Sequence, residues 1–329
     1  MKIIFFETRD KEKELLEGAF TTHELIFRKE RLDKNSVALA KGCDIVSVFV
    51  GSEVDKEVIN ALQGIKVIIT RSTGFDHIDV KYAKDRGILV SVVPAYGMHT
   101  VAEFAFGLML SLSRNISLAG ANTRKGDFSL APELRGFDLF GKTLGVIGTG
   151  KIGKNIVFMG KGFRMKILAT DLFLDQAFAE ENEVEYVLLS VLLSSSDVVT
   201  VHAPYNETTY HLISKDNIGL MKKTALLINT ARGEIVETQA LFDALVSGGI
   251  AGAGLDVLEG ERKLKSDPAR LSSKELENIE LCKKLIALPN VIVAPHIAFY
   301  SAEAEAEISK VVVGNISAFI SGTPINIIK

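Results

Sequence analysis

Thr143-Leu144-Gly145-Val146-Ile147-Gly148-Thr149-Gly150-Lys151-Ile152-Gly153 is the stretch that decides the fold. An apolar run with the make-up of a buried strand passes without a linker into a Gly-x-Gly-x-x-Gly turn, and a helical pattern follows from Lys154. Each glycine answers a need of a dinucleotide-binding turn. Gly148 permits the tight turn, Gly150 lets the backbone approach a pyrophosphate, and Gly153 lets helix and strand pack closely, with the phosphates facing the helix N-terminus. Glycines also cluster in ordinary turns, so the next strand matters. It runs from Met165 to Thr170 and leads into Asp171, near the spacing of ~20 residues at which such folds place an acidic group. A carboxylate there accepts from both adenosine ribose hydroxyls and repels a 2'-phosphate. None of Leu172, Phe173, Leu174 and Asp175 is a cation that would neutralise that phosphate, so NAD rather than NADP is the expected cofactor.

Further apolar runs continue this series at Asp197 to Val201, Ala225 to Asn229, Ala253 to Val257 and Val291 to Ala294. An earlier series occupies Ile3 to Phe6, Asp44 to Val50, Lys66 to Thr70 and Ile88 to Val92, with helix-like pieces between the runs. Such alternation predicts two α/β units built on parallel sheets. The runs are almost continuously apolar, as strands buried on both faces require. Between the two series, Thr100 to Arg124 is predicted as one long, largely buried helix. Thr100 and Glu103 have the spacing of a capping box, and Val101, Phe104, Ala105 and Leu108 recur at helical period. Phe106, Met109 and Leu110 make its other side apolar too, which predicts packing between domains or subunits. The charged segment Arg262 to Pro268 reads as a solvated loop, and a helix-like piece follows up to Leu288.

With 329 residues, 47% of them hydrophobic, the chain exceeds what a single core usually supports and has material for two. Its formal charge of -3, from 38 basic and 41 acidic side chains without a long stretch of either sign, argues against nucleic acid and for a small partner. Cys43 and Cys282 lack the spacing of a zinc or redox pair and read as buried thiols of a reducing compartment. The run Ile3 to Phe6 is too brief for a signal-peptide core. The longest apolar stretch, Val101 to Leu112, is interrupted by Glu103 and Ser111 and falls short of a membrane span. A cytoplasmic protein without membrane attachment is expected.

Three later residues carry the chemistry that a carbonyl reduction needs. Arg232 follows the strand Ala225 to Ile228, at the strand edge where open α/β sheets bind ligands. Its planar fork suits a carboxylate and can polarise a neighbouring carbonyl. His296 ends another apolar strand, and an imidazole titrates near neutrality, so it can give a proton to an alkoxide and recover it. Glu261, in Leu255-Asp256-Val257-Leu258-Glu259-Gly260-Glu261, can fix the orientation of such a ring. Singly, a strand-end arginine is more often an ion-pair partner, a histidine structural, and a glutamate after glycine loop polarity. The three gain weight from the dinucleotide turn ahead of them.

Together with Arg71-Ser72-Thr73-Gly74-Phe75-Asp76-His77-Ile78-Asp79, Val93-Pro94-Ala95-Tyr96, Val201-His202-Ala203-Pro204, Asn229 to Gly233, Gly254 to Glu261 and Pro295-His296-Ile297-Ala298-Phe299-Tyr300, the chain resembles the D-isomer-specific 2-hydroxyacid dehydrogenases, most closely their D-lactate branch. The resemblance implies two doubly wound parallel-sheet domains, with a Rossmann NAD domain (99–296) inserted into a flavodoxin-like substrate domain (1–98 plus 297–329), catalysis in the cleft, and a homodimer joined through the NAD domains with help from the helix after Thr100. It further implies that Arg232 binds the substrate carboxylate and carbonyl, that His296 is the acid/base, and that Glu261 supports it. Asp256 would hold the nicotinamide carboxamide, and Lys151, Ile152, Asp171, His202, Ala203, Pro204, Thr209, Thr230 and Ala231 would line the cofactor. Backbone N–H groups of Thr73 and Gly74 would take the substrate carboxylate, with Tyr96 and Tyr300 crowding its side chain. Arg71, Asp76, His77 and Asp79 imitate a metal cluster, but hydride transfer with an arginine and a histidine needs no metal, and none is expected.

Pyruvate is the expected 2-oxo acid. Two departures bear on that choice: Gly97-Met98-His99 follows Tyr96 where the family branch often has Ser-Pro, and Arg262 to Leu288 is longer than in many relatives and would cover the cleft. Competing substrates are glyoxylate, hydroxypyruvate and 3-phosphoglycerate. Formate is disfavoured, because an amide is expected where Glu261 stands, and the tail after His296 is too short for a further regulatory domain. A non-catalytic NAD(H) sensor with the same three residues is the alternative from another class.

Overall fold

Apolar runs become parallel strands in two separate sheets. The computed structural model describes residues 1–265 and 271–328, so Ser266, Asp267 and Pro268 of the segment read as a loop lie outside the described residues. The chain divides into two units, Met1–Gly97 with Tyr300–Lys329, and Met98–Phe299.

In the first unit, β1 (Lys2–Phe5), β2 (Glu24–Phe27), β3 (Ile45–Val48), β4 (Val67–Thr70) and β5 (Leu89–Ser91) form a sheet in the order β2-β1-β3-β4-β5, every pair parallel. This is the flavodoxin-like order. β3 and β4 are buried at every position, as continuous apolar runs demand, and helices cover them. The chain returns here at its end: Asn315 Nδ2 donates to the Val92 carbonyl (2.9 Å), and Ile327 bridges to Ser91. At the end of β4, Arg71 is 2% exposed. Its guanidinium donates to Ser47 Oγ (3.1 Å) and the Phe6 carbonyl (2.6 Å) and pairs with Glu12 (2.7 Å), which ties together the C-terminal ends of β1, β3 and β4.

The second unit carries β6 (Thr143–Ile147), β7 (Lys166–Thr170), β8 (Val184–Tyr186), β9 (Val198–Val201), β10 (Leu226–Asn229), β11 (Gly252–Leu255) and β12 (Val291–Val293), in the order β12-β11-β10-β9-β6-β7-β8. Strand order reverses between β6 and β9, and the carboxyl ends at such a switch point are where open α/β sheets bind ligands. The predicted runs account for every strand except β2 and β8. Both lie at a sheet edge, where one side lacks a neighbour and an apolar run is not required.

The segment after the first unit departs from expectation. The helix begins at Met98, so Thr100 sits inside its first turn and is no N-cap. It also stops at Ser113: Asn115 takes a left-handed φ of 52° and a separate helix, Ile116–Arg124, follows with no buried residue. The apolar faces of the first helix are explained within the unit. Phe106 is buried and stacks on Phe163 (5.3 Å between centroids), and the helix packs on β10, β11 and the helix Lys151–Gly162. The charged segment is likewise not all loop. Glu261–Lys265 is a 3-10 turn. The helix-like piece expected up to Leu288 is the helix Ser273–Ile286, opened by a capping box of Ser272 and Glu275. That helix packs on the neighbouring helix Thr238–Val246 and on β12. No helix among the described residues is long and apolar enough to cross a membrane.

Candidate active site

The glycine turn shows why each of its glycines is there. Gly148 has φ +93°, and a Cβ on it would meet Ala203 N at 2.7 Å and His202 C at 2.8 Å, so the turn after β6 lies directly on the loop after β9. Gly153 would carry its Cβ 2.0 Å from the Gly148 carbonyl oxygen, which is the close helix–strand approach that only glycine allows. Gly150 caps the helix Lys151–Gly162, and nothing lies within 4 Å of where its Cβ would stand. That open space at a helix N-terminus fits a pyrophosphate.

Asp171, just past β7, turns back onto this loop. Its Oδ2 accepts from Thr149 N (2.6 Å) and Thr149 Oγ1 (3.0 Å), and Oδ1 accepts from Phe173 N (3.0 Å). Burial pushes the carboxyl upward, but the amides of Phe173 and Thr149 and the Thr149 hydroxyl outweigh it and hold the group below the usual carboxylate range. Across the switch point, His202 donates its backbone N–H to the Ile147 carbonyl (2.7 Å). Its ring Nε2 meets Thr200 Oγ1 at 2.8 Å, while Nδ1 is enclosed without a partner. Burial pushes this imidazole down to about 3, so it is neutral at physiological pH. Ala203 and Pro204 follow it, and the Thr209 hydroxyl closes their loop by donating to the Pro204 carbonyl (2.7 Å).

Arg232, Glu261 and His296 come from the ends of three neighbouring strands. In register, Asn229 of β10 stands beside Leu255 of β11, and Leu255 beside Val293 of β12. Outer strands of such a trio lie roughly 10 Å apart, within reach of side chains from both. Asn229 folds the first turn: its Oδ1 accepts from Ala231 N (3.0 Å) and its Nδ2 donates to the Arg232 carbonyl (2.9 Å). The Arg232 guanidinium donates to the Ala231 carbonyl (2.7 Å), and Thr230 Oγ1 is enclosed without a partner. A Cβ on Gly233 would sit 2.1 Å from Leu258 C, so this turn presses on the loop that bears Glu261. Glu261 Oε2 accepts from Leu258 N (3.1 Å), and Oε1 is in contact with His296 Nδ1. His296 itself has φ +59°.

Asp256 holds that unusual turn. It accepts from His296 N through its carbonyl (2.9 Å), and its Oδ1 and Oδ2 accept from Ile297 N and Ala298 N (2.8 Å each). At 1% exposure the carboxylate is buried and anchors this turn through both of its oxygens. Burial raises its pKa, and the two amides offset only part of that rise. Asn229 received no role from the sequence, although an Asn just ahead of a turn is a recognised signal for side chain–backbone bonding. His211 and Glu259 pair at 3.0 Å between the loops after β9 and β11, and no spacing rule singles them out in the sequence.

Apart from Arg232, the residues expected at the substrate, Thr73, Gly74, Tyr96 and Tyr300, lie in the first unit. Thr73 Oγ1 donates to the Val93 carbonyl (2.8 Å), and Ser72 Oγ donates to the Gly74 carbonyl (2.6 Å) to shape that loop. Tyr96 is half-buried, and Tyr300 lies under the Arg9 guanidinium (4.5 Å). Of the residues that imitate a metal cluster, Arg71 is committed as described, His77 Nε2 meets Thr70 Oγ1 (3.1 Å) and Asp79 caps the helix Val80–Asp85. Among the described residues no group of three or more His, Cys, Asp or Glu could hold a metal ion.

Residues 106–298 match the family model for the NAD binding domain of D-isomer specific 2-hydroxyacid dehydrogenases. The chain is 37% identical over 326 residues to the D-lactate dehydrogenase of Escherichia coli, covering 98% of each, and 38% identical over 285 residues to the glyoxylate reductase of Korarchaeum cryptofilum, covering 86% of this chain and 81% of that one. Its fold is similar to the crystal structure of D-lactate dehydrogenase from Aquifex aeolicus complexed with NAD and lactic acid, with TM-score 0.90, 34% identity, and 98% and 96% of the two chains covered. Matched by the family's domain model over most of its second unit and by relatives along nearly its whole length, the chain belongs to the D-isomer specific 2-hydroxyacid dehydrogenases, as an NAD-dependent enzyme of that family.

Proposed function

We propose that this enzyme interconverts pyruvate and D-lactate, with Arg232, Glu261 and His296 as its chemical residues. The observation that carries the reading is the His296–Glu261 pair beyond β11 and β12, on the same sheet edge as the Arg232 turn. NADH supplies the hydride when bound. Gly148, Gly150, Lys151, Ile152 and Gly153 would hold its pyrophosphate and Asp171 its adenosine ribose, with His202, Ala203, Pro204, Thr230 and Ala231 along the remainder. The Arg232 guanidinium takes the substrate carboxylate and lies where negative charge builds on the carbonyl oxygen. With Nδ1 engaged by Glu261, His296 exchanges its proton at Nε2, giving it to the developing alkoxide and recovering it in reverse. Asp256 and Asn229 keep the two turns in place through the bonds described.

The test is loss of NADH absorbance with pyruvate, glyoxylate and hydroxypyruvate. The methyl group that distinguishes pyruvate from glyoxylate should raise kcat/KM by about tenfold or more. NAD reduction should occur with D-lactate and not L-lactate. Faster reaction with glyoxylate, the substrate class named by the Korarchaeum relative, would move the assignment there.

We further propose a homodimer built on the segment after Asn115, not on the packed helix before it. Along this stretch Ile116 and Phe140 are exposed, Phe128 is 81% exposed and Leu130 is fully exposed. Large apolar side chains left exposed along one segment of a folded domain point to an association surface there. Sedimentation should show a dimer for the native chain and a monomer for Phe128→Ser/Leu130→Glu. A native monomer, or a variant that stays dimeric, would refute this interface.

A further inference from the structure

Asp171 is the end of a chain of hydrogen bonds. Thr149 gives it both N–H and hydroxyl, at 2.6 Å and 3.0 Å. Thr149 Oγ1 lies 2.8 Å from the hydroxyl of Tyr186, and Asp175 N–H points at that same hydroxyl over 3.4 Å. Donor and acceptor roles along the chain are forced. An ionised carboxylate only accepts, so the single Thr149 hydroxyl proton is committed to Asp171. Thr149 Oγ1 can then only accept from Tyr186, whose own proton is thereby directed to Thr149 and whose oxygen is left to accept from Asp175 N–H. The chain joins three elements: the turn after β6, the tip of β7, and β8, where Tyr186 pairs with Ala169. Asp175 also holds Lys154 Nζ at 2.6 Å, so the cation of the adjoining helix is already committed.

We propose that Thr149 and Tyr186 are positioning residues that make the site reject a 2'-phosphorylated dinucleotide, by clamping Asp171 in one orientation. Oδ2 is held by two donors from Thr149 and Oδ1 by the amide of Phe173 at 3.0 Å. A carboxylate so held does not swing aside, and a phosphate brought beside it meets like charge, with Lys154 already paired to Asp175. Thr149 is the variable residue between two fingerprint glycines, and at 4% exposure its hydroxyl serves the protein interior. This inference rests on the proposed role of Asp171 at the adenosine ribose.

The experiment is measurement of NADH and NADPH dissociation constants, by ligand fluorescence without substrate, for the native enzyme, Tyr186→Phe, Thr149→Val, Thr149→Ser and Asp171→Ala. Loss of one hydrogen bond in Tyr186→Phe should shrink the preference for NADH by about fivefold. Thr149→Val should shrink it at least as far, Thr149→Ser should restore it, and Asp171→Ala should abolish most of it. If Asp171→Ala collapses the preference while Tyr186→Phe and Thr149→Val keep the native ratio, the ribose role of Asp171 stands and the clamp is overturned. Equal weakening of NADH and NADPH in those two variants also overturns it, because a merely structural role would do that. An unchanged ratio in Asp171→Ala overturns the ribose role and the clamp with it.

Discussion

His296→Ala is expected to lower turnover of pyruvate by about 10²- to 10⁴-fold, the usual contribution of a positioned general acid, while NADH affinity keeps its native value. The selectivity of that loss follows from how the residue is mounted. Its backbone is held by Asp256, which also takes the next two amides, so the turn survives removal of the ring. The glycine turn and Asp171 lie at the ends of other strands, β6 and β7. Because His296 has φ +59°, His296→Asn is the better control: asparagine accepts left-handed backbone more readily than alanine and still cannot donate a proton as an acid. Both variants should be equally slow in stopped-flow NADH oxidation. Native turnover in either would remove His296 from the chemistry.

Arg232→Ala should lower kcat/KM by about 10³-fold or more, with KM for the 2-oxo acid rising, because it removes both a bidentate carboxylate donor and a charge facing the developing alkoxide. Arg232→Lys should recover only a small part, since an ammonium cannot reproduce the planar fork. The turn itself should persist in both, as Asn229 bonds its backbone and Gly233 fits it against Leu258. Steady-state kinetics with pyruvate checks this, and an unchanged KM would detach Arg232 from the substrate.

What the sequence discloses about this molecule is what is local. Three glycines at fixed spacing, each answering a steric demand within a few residues, announce the turn, and Asp171 follows at the tip of the next strand. Strands buried on both faces must be apolar throughout, so β3, β4, β9 and β10 stand out as runs. β2 and β8 do not, because an edge strand can satisfy its pairing with mixed residues. The break at Asn115 is invisible to helical periodicity, since a single left-handed residue interrupts the helix without interrupting the apolar pattern. The 3-10 turn Glu261–Lys265 hides beneath a charged composition that suggests a loop. At the proposed site, Arg232, Glu261 and His296 are suggested by residue type and strand-end position. Their supports are not: Asp256 reaching Ile297 and Ala298, or Thr149 reaching Tyr186, are contacts between segments that only the order of strands brings together.

A crystal structure of the enzyme with NADH and oxamate, an unreactive analogue of pyruvate, is the most direct measurement. The oxamate carboxylate should rest on the Arg232 guanidinium and its carbonyl oxygen within about 3 Å of His296 Nε2, both on the side of the nicotinamide that delivers hydride. Oxamate bound away from either side chain, with the imidazole and guanidinium serving different groups, would contradict the shared site proposed for them.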